Sequence, residues 1–265
     1  MQGGAVPIPY DNLRNRRLIR ERIGDVLRFR ENHLSEDVPD RYWIISLLMP
    51  DSVSRVLEVG PGRSFMFKHL FARGLKEHME YHTVDTREYP DEKDITQHIF
   101  DAGADIFPLE DESFDLVIAT DVIEHILNTD NFLDNVRRVM KPDGAVLLST
   151  PNYANPKYTF RMLMGKMLHN PLGSDMDKYC FREHVKYFCT GDLLRYVRSC
   201  SLHPEALITH GLITGERVLK CSVLRRALIR RIYNHLPRLH HRFSHETILV
   251  LRKNPVGKMR RFHVS

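Results

Sequence analysis

The chain is 265 residues long, 42% hydrophobic and 28% charged, with a formal net charge of +5. At about 100–200 residues per domain this length holds one large domain or two small ones, and the apolar content is too high for a disordered chain. The 14 Gly, 14 Pro and absence of a short repeat exclude collagen, coiled-coil and low-complexity classes, and no stretch approaches the roughly 20 almost uncharged apolar residues of a membrane-spanning helix.

Two helices are expected near 12–32 and 40–48. Arg55–Val59 (RVLEV) reads as a short buried strand, followed by the turn GPG and a helix over Ser64–Arg73. A second strand, Glu80–Val84, ends at Asp85. Phe114–Thr120 (FDLVIAT) is continuous and β-branched, as a parallel strand covered on both faces should be. A helix over Asn131–Met140, a KPDG turn and a buried strand at Ala145–Ser149 follow. This alternation predicts an α/β fold with a mainly parallel sheet and helices on both faces.

Residues 151–190 break the pattern with Pro, Gly, Asn and Tyr, and read as an insertion over the carboxyl ends of the strands, where ligands bind in such sheets. Gly191–Ser199 reads as a helix, and Glu205–Ile213 and Glu246–Arg252 as the last strands. The expected organisation is an N-terminal helical extension over 1–50 and one domain over 51–265, carrying the lid insertion 151–190 and a basic helix at 222–239.

Charge is distributed unevenly. From Arg217 to the end there are 13 Lys and Arg against one acid, Glu246, a net of +12 that leaves −7 on residues 1–216. Within this part, SVLRRALIRRIYNHLPRL repeats apolar residues at helical spacing, with arginines mostly between them. Three roles fit such a helix: packing on the domain, contact with an anionic membrane surface, or contact with a nucleic-acid backbone, the last less favoured. The cysteines at 180, 189, 200 and 221 form no CxxC pair, and the N-terminus lacks an apolar h-region. The expectation is a cytoplasmic protein with reduced cysteines.

The segment with the most chemistry is Glu58-Val-Gly-Pro-Gly-Arg-Ser64. Glycines at 60 and 62 allow a ligand close to the backbone. Asp85, at the end of the next strand, stands where a carboxylate accepts hydrogen bonds from two ribose hydroxyls. Together with PLEDESFDLVIATDVIEHI and RRVMKPDGAVLLSTPN, these segments resemble the class I S-adenosylmethionine-dependent methyltransferases, of the type 11 and 23 kind. EHVKYFCTGDLLRYVRS is similar to a further, looser family segment, and Ser64 replaces the usual third glycine.

The resemblance implies a Rossmann-like, seven-stranded, mainly parallel sheet and S-adenosyl-L-methionine as cofactor. It places Glu58 under the glycine loop near the methionine amine and Gly60 and Gly62 against the cofactor. Asp85 would hold the ribose, and the backbone at Thr120 and Asp121 would touch the methionine moiety. Asp101 and Asp105 compete for the adenine side, and Asp105 is preferred because it lies closer to the following strand.

A methyl group on a sulfonium needs mainly an aligned nucleophile and exclusion of water. An oxygen or amine acceptor can also need a base, and His125 and His184 are the candidates. Asp121, Glu124, His125 and His184 also resemble, loosely, the magnesium-binding constellation of small-RNA 2′-O-methyltransferases. Magnesium prefers oxygen ligands to imidazole, so the expectation is no metal. The expected acceptor is an oxygen or nitrogen of a small molecule or a glycan sugar, since the basic tail resembles methyltransferases of polysaccharide clusters. The alternatives are an RNA methyltransferase and a non-catalytic partner protein.

Overall fold

The computed structural model describes residues 44, 45, 48, 53–62, 79–92, 94–104, 106–166, 184–210, 240–255 and 257–264. Eight strands form one sheet: β1 Arg55–Val59, β2 Glu80–Asp85, β3 Thr96–Ile99, β4 Phe114–Thr120, β5 Met140–Pro151, β6 His203–His210, β7 Glu246–Arg252 and β8 Arg260–Val264. Their order is β3-β2-β1-β4-β5-β7-β6-β8. The first five strands are parallel, β7 is antiparallel to both β5 and β6, and β8 is parallel to β6.

Alternation along each strand divides the core into two layers. On one face Leu57, Val59, Val117 and Leu148 pack against helices α1 (Thr129–Val139) and α3 (Thr190–Ser199). On the other face Val56, Leu116 and Leu147 pack with Ile44, Ile45 and Leu48, which are helical and fully buried. A shorter helix, α2 (Pro156–Leu163), follows β5. Asn128 caps α1 by accepting from the Asn131 N–H, and Phe132, Leu133, Val136 and Val139 bury one stripe of it.

Arg138, at the end of α1, fixes the loop that leads into β4. Its guanidinium donates to the carbonyls of Phe107 (2.7 Å) and Leu109 (2.8 Å) and pairs with Asp111. Charge-assisted bonds of this kind contribute about 1.5–3 kcal/mol each. Because the site is partly exposed, Arg138→Ala is expected to cost about 2 kcal/mol in total, read as a lower urea midpoint. Arg138→Lys should recover only part, since a single ammonium lacks the planar fork that serves several acceptors.

The sheet has one strand more than the seven that the resemblance implies and two more than the six read from the residues. The unforeseen strands are β3 and β8, TQHI and RRFHV, both at sheet edges. An edge strand needs no continuous apolar run, and β3 is only half-buried, so neither carries the hydrophobic signal of β4. β5 also starts earlier than expected: the KPDG residues belong to it, with an irregular register between Phe114 and Leu116 of β4. β6 begins at His203 and is followed to His210.

The segment 167–183 of the lid, the basic helix 222–239 and most of the N-terminal extension lie outside the described residues. Among the described residues, no helix is long and apolar enough to cross a membrane. Cys189 and Cys200 are free thiols.

Candidate active site

The strand order reverses between β1 and β4, so the chain leaves the sheet in opposite directions on either side of this point. A crevice outside the carboxyl ends of the strands is the consequence. There the structure has a cavity of about 490 Å³, whose lining includes Gly60, Asp85, Asp101, Val122, His125 and Val185.

Gly60 closes β1 with a hydrogen bond from its N–H to the Val84 carbonyl (2.8 Å). Its φ is +63°, and a Cβ there would stand 2.7 Å from Val122 Cγ2. Both the backbone conformation and the close approach therefore require glycine. Gly62 also has positive φ, at +66°, with open space on its Cβ side.

Asp85 is half-buried at the end of β2. The Tyr89 hydroxyl donates to its Oδ2 (2.8 Å), and the Arg87 N–H and Thr86 hydroxyl reach its Oδ1 (3.2 and 3.4 Å). Burial, followed by the bond to Asp85, pushes the Tyr89 phenol well above its ordinary range, so it stays a donor. The carboxylate is held in one orientation at the cavity wall, as a ribose acceptor needs to be.

Glu58 does not line the cavity. It is 2% exposed beneath the glycine loop and accepts a hydrogen bond from the Tyr81 hydroxyl (2.7 Å). Burial pushes its pKa up to about 7; the Tyr81 bond opposes that shift and the charge of Asp85 adds to it.

Asp101 and its neighbours Phe100 and Ala102 line the cavity together with Val122 and residues 125–127, while Asp105 lies outside the described residues. Thr120 ends β4 beside Ser149 of β5. Asp121 follows with φ at +52°, a region that aspartate enters more readily than most residues. It is anchored through its N–H to the Ser149 carbonyl (3.1 Å) and by the Ser149 hydroxyl (3.3 Å).

The strained turn at Asp121 leads into a single 3-10 turn, Ile123–His125. Glu124 is fully buried there and accepts from the Thr150 hydroxyl (3.0 Å). Its carbonyl accepts from the N–H groups of Val185 (2.9 Å) and Lys186 (3.0 Å), which fastens the end of the lid insertion to this turn. That pairing brings His184 beside His125, with ring centroids 4.7 Å apart and planes near perpendicular. His184 Nε2 lies 3.9 Å from Glu124 Oε1, and its Nδ1 is bonded to the Tyr153 hydroxyl at 2.5 Å. Burial raises the Tyr153 phenol pKa, so that hydroxyl stays protonated.

Of the residues singled out in the sequence, Gly60, Asp85 and His125 meet at the cavity, with His184 beside His125. Glu58, Gly62, Thr120 and Asp121 stand on the strand ends and turns around it. Tyr81 and Tyr89, the partners of the two carboxylates, were not foreseen. Their only sequence signal is a tyrosine one residue into β2 and four residues after Asp85, too common to read.

A sequence model of the methyltransferase domain matches residues 26–199. The chain belongs to the class I S-adenosylmethionine-dependent methyltransferases. Curated relatives include the ubiquinone biosynthesis O-methyltransferases of Dechloromonas aromatica, 27% identical over 166 residues (58% of this chain, 66% of the relative), and Rickettsia typhi, 28% identical over 123 residues (43% and 48%). The chain thus matches between about half and two thirds of the length of these two relatives. Among solved structures, a SAM-dependent methyltransferase from Archaeoglobus fulgidus superimposes with a TM-score of 0.52 at 17% identity, covering 92% of this chain and 100% of that one. That likeness concerns the fold.

The methyltransferase cofactor fits the residues at the switch point. The positive-φ glycines leave backbone accessible to a ligand, Asp85 offers an oriented acceptor for a ribose, and the buried Glu58 suits a neighbouring positive charge.

Proposed function

We propose that the protein transfers a methyl group from S-adenosylmethionine to a hydroxyl oxygen of a small molecule. The observation that carries this reading is one cavity lined by the glycine turn at Gly60, by Asp85 and by His125, whose ring packs against His184. The O-methyltransferase names of the relatives support oxygen as the acceptor atom.

When bound, S-adenosylmethionine supplies a methyl group on a positively charged sulfur whose leaving thioether is neutral. Asp85 holds the ribose, the backbone at Gly60 lies against the cofactor, and Asp101 borders the adenine side. His125 and His184 meet the acceptor hydroxyl and help it lose its proton. Val122 and Ile126 of the cavity wall and Tyr153, the partner of His184, are all buried, which limits water at the transfer point.

The test is transfer of labelled methyl from S-adenosylmethionine to a panel of phenols, vicinal diols, sugars, amines and RNA. Label is expected on hydroxyl-bearing small molecules or sugars, and it should fall at least tenfold in His125→Ala and His184→Ala. Label confined to amines would overturn the choice of acceptor atom. The +12 C-terminal part favours RNA as a second reading. Methylated RNA, with binding that weakens steeply with salt, would replace the small-molecule reading.

A further inference from the structure

We propose that His82 and His98 form a proton-sensitive latch that holds the edge strand β3, and through it the ribose-binding acid Asp85, and that acidification releases it. The latch is independent of the identity of the acceptor.

β3 has four residues and lies at one end of the sheet, paired with β2 alone. Such an element opens more easily than the central strands. Its hold on β2 includes a contact between side chains: His82 Nδ1 and His98 Nε2 are 3.1 Å apart, with ring planes 7° from parallel and ring centres 5.4 Å apart. One ring therefore donates an N–H to the bare nitrogen of the other, close to the line that joins them. One added proton keeps that bond. A second sets two N–H groups against each other and breaks it.

The surroundings favour the neutral pair. His82 is 8% exposed and packs edge-on against Phe114 of β4, with ring centres 5.2 Å apart. The charged groups that face the pair are Arg55 of β1, Glu80 of β2 and Glu110 of the loop before β4. Glu80 Oε2 is 3.5 Å from His82 Nε2 and 2.7 Å from Arg55 Nε, so its charge is shared with the guanidinium. Burial lowers the pKa of both rings. At His82 the Glu80 carboxylate opposes that shift and Arg55 adds to it, and at His98 the His82 ring and Arg55 add to it.

β3 carries the support of Asp85. Gln97, the neighbour of His98, accepts from the Tyr89 N–H (2.7 Å) and donates to the Tyr89 carbonyl (2.8 Å), and the Tyr89 hydroxyl holds Asp85 Oδ2. Just past β3 the Phe100 N–H donates to the Asp85 carbonyl (3.0 Å), and Phe100, Asp101 and Ala102 line the cofactor cavity. Release of β3 therefore loosens both the orientation of the ribose acceptor and a stretch of the cavity wall.

Released histidines titrate near the ordinary value of 6.5, and docked ones below it. Above 6.5 the rings are neutral in both states and the latch holds fully. Below 6.5 the released segment takes up protons that the docked pair refuses, so release gains up to about tenfold per ring and pH unit. Glu58 acts in the opposite sense, since acid removes its ionisation cost.

Hydrogen exchange of the full-length, cofactor-free protein, corrected for intrinsic rates, reads the latch. Between about pH 7.5 and about pH 5.5 the opening of residues 95–102 is expected to rise about 10–100-fold, while residues 114–120 of β4 stay protected. The double variant His82→Asn/His98→Gln should respond less than about threefold. His98→Gln alone, at the half-buried edge position, leaves the buried His82 in place and should cut the response at least about threefold. Equal β3 opening at the two pH values overturns the latch, as does an undiminished response in the variants. Parallel opening of β4 overturns it too, because that marks global unfolding. The link to the cofactor is read by calorimetric titration with S-adenosylhomocysteine in a Glu58→Gln background, which removes that acid's own pH dependence. Affinity should be at least about threefold weaker at the lower pH, and level when both histidines are also replaced. Affinity that stays level with both histidines in place would overturn the link from β3 to Asp85.

Discussion

Asp85→Ala is expected to weaken cofactor binding by about 10²–10³-fold while leaving the protein folded. The wild-type carboxylate is already oriented by Tyr89, Arg87 and Thr86, so a ribose meets a fixed acceptor and loses little in arranging it. Two hydrogen bonds to a charged group contribute about 1.5–3 kcal/mol each, and about 3–4 kcal/mol in all corresponds to that loss of affinity. Asp85 is half-exposed at a strand end, so its removal leaves no cavity in the core. Asp85→Asn keeps an acceptor for Tyr89 without the charge and should fall between the two. Calorimetric titration with S-adenosylhomocysteine checks the series. Affinity within threefold of wild type for Asp85→Ala would remove Asp85 from the ribose role.

Glu58→Gln is expected to stabilise the free protein above pH 7 and to flatten the pH dependence of cofactor binding. The ordinary carboxyl value is 4.5, and burial raises it to about 7 in the folded chain. Below 4.5 the group is protonated both folded and unfolded, and it contributes nothing. Between 4.5 and 7 the unfolded chain ionises while the folded one does not. Stability therefore falls with rising pH, by about 1.4 kcal/mol per unit, and the loss levels off above 7 at about 3 kcal/mol. Glutamine cannot ionise and still accepts from Tyr81, so the variant should gain about 1–3 kcal/mol at pH 8 and little at pH 4.5. The cofactor carries positive charge, which favours ionised Glu58. Wild-type affinity should accordingly rise with pH up to about 7, and the variant should lack that rise. Denaturant unfolding at both pH values, with and without S-adenosylhomocysteine, reads both effects. Equal wild-type and variant stability at pH 8 would show that Glu58 bears no ionisation cost.

These two acids show how far the sequence could be read. Both were recognised by position, Glu58 at the end of β1 and Asp85 at the end of β2. Their different behaviour comes from Tyr81 and Tyr89, whose contacts no spacing announces.

What the sequence determined by itself is four of the five parallel strands and the cofactor turn. β1, β4 and most of β5 are apolar runs bounded by turn residues, β2 is a short β-prone run that ends at Asp85, and α1 was legible as a helix from Asn131 onward. Gly60 is required by a backbone conformation that almost any side chain would strain. Each of these signals is local, arising from periodicity, turn chemistry or the absence of a Cβ.

Tertiary structure alone decided the rest. β3 and β8 are strands because β2 and β6 offer them free edges, not because their own residues form an apolar run. β7 lies between β5 and β6 because its fully buried residues need neighbours on both sides. His184 stands beside His125 because two backbone N–H groups at the end of the lid find the Glu124 carbonyl, far away in the chain. Such contacts depend on which surfaces remain open once the sheet has formed, and pairings of that range leave no periodic trace in either segment.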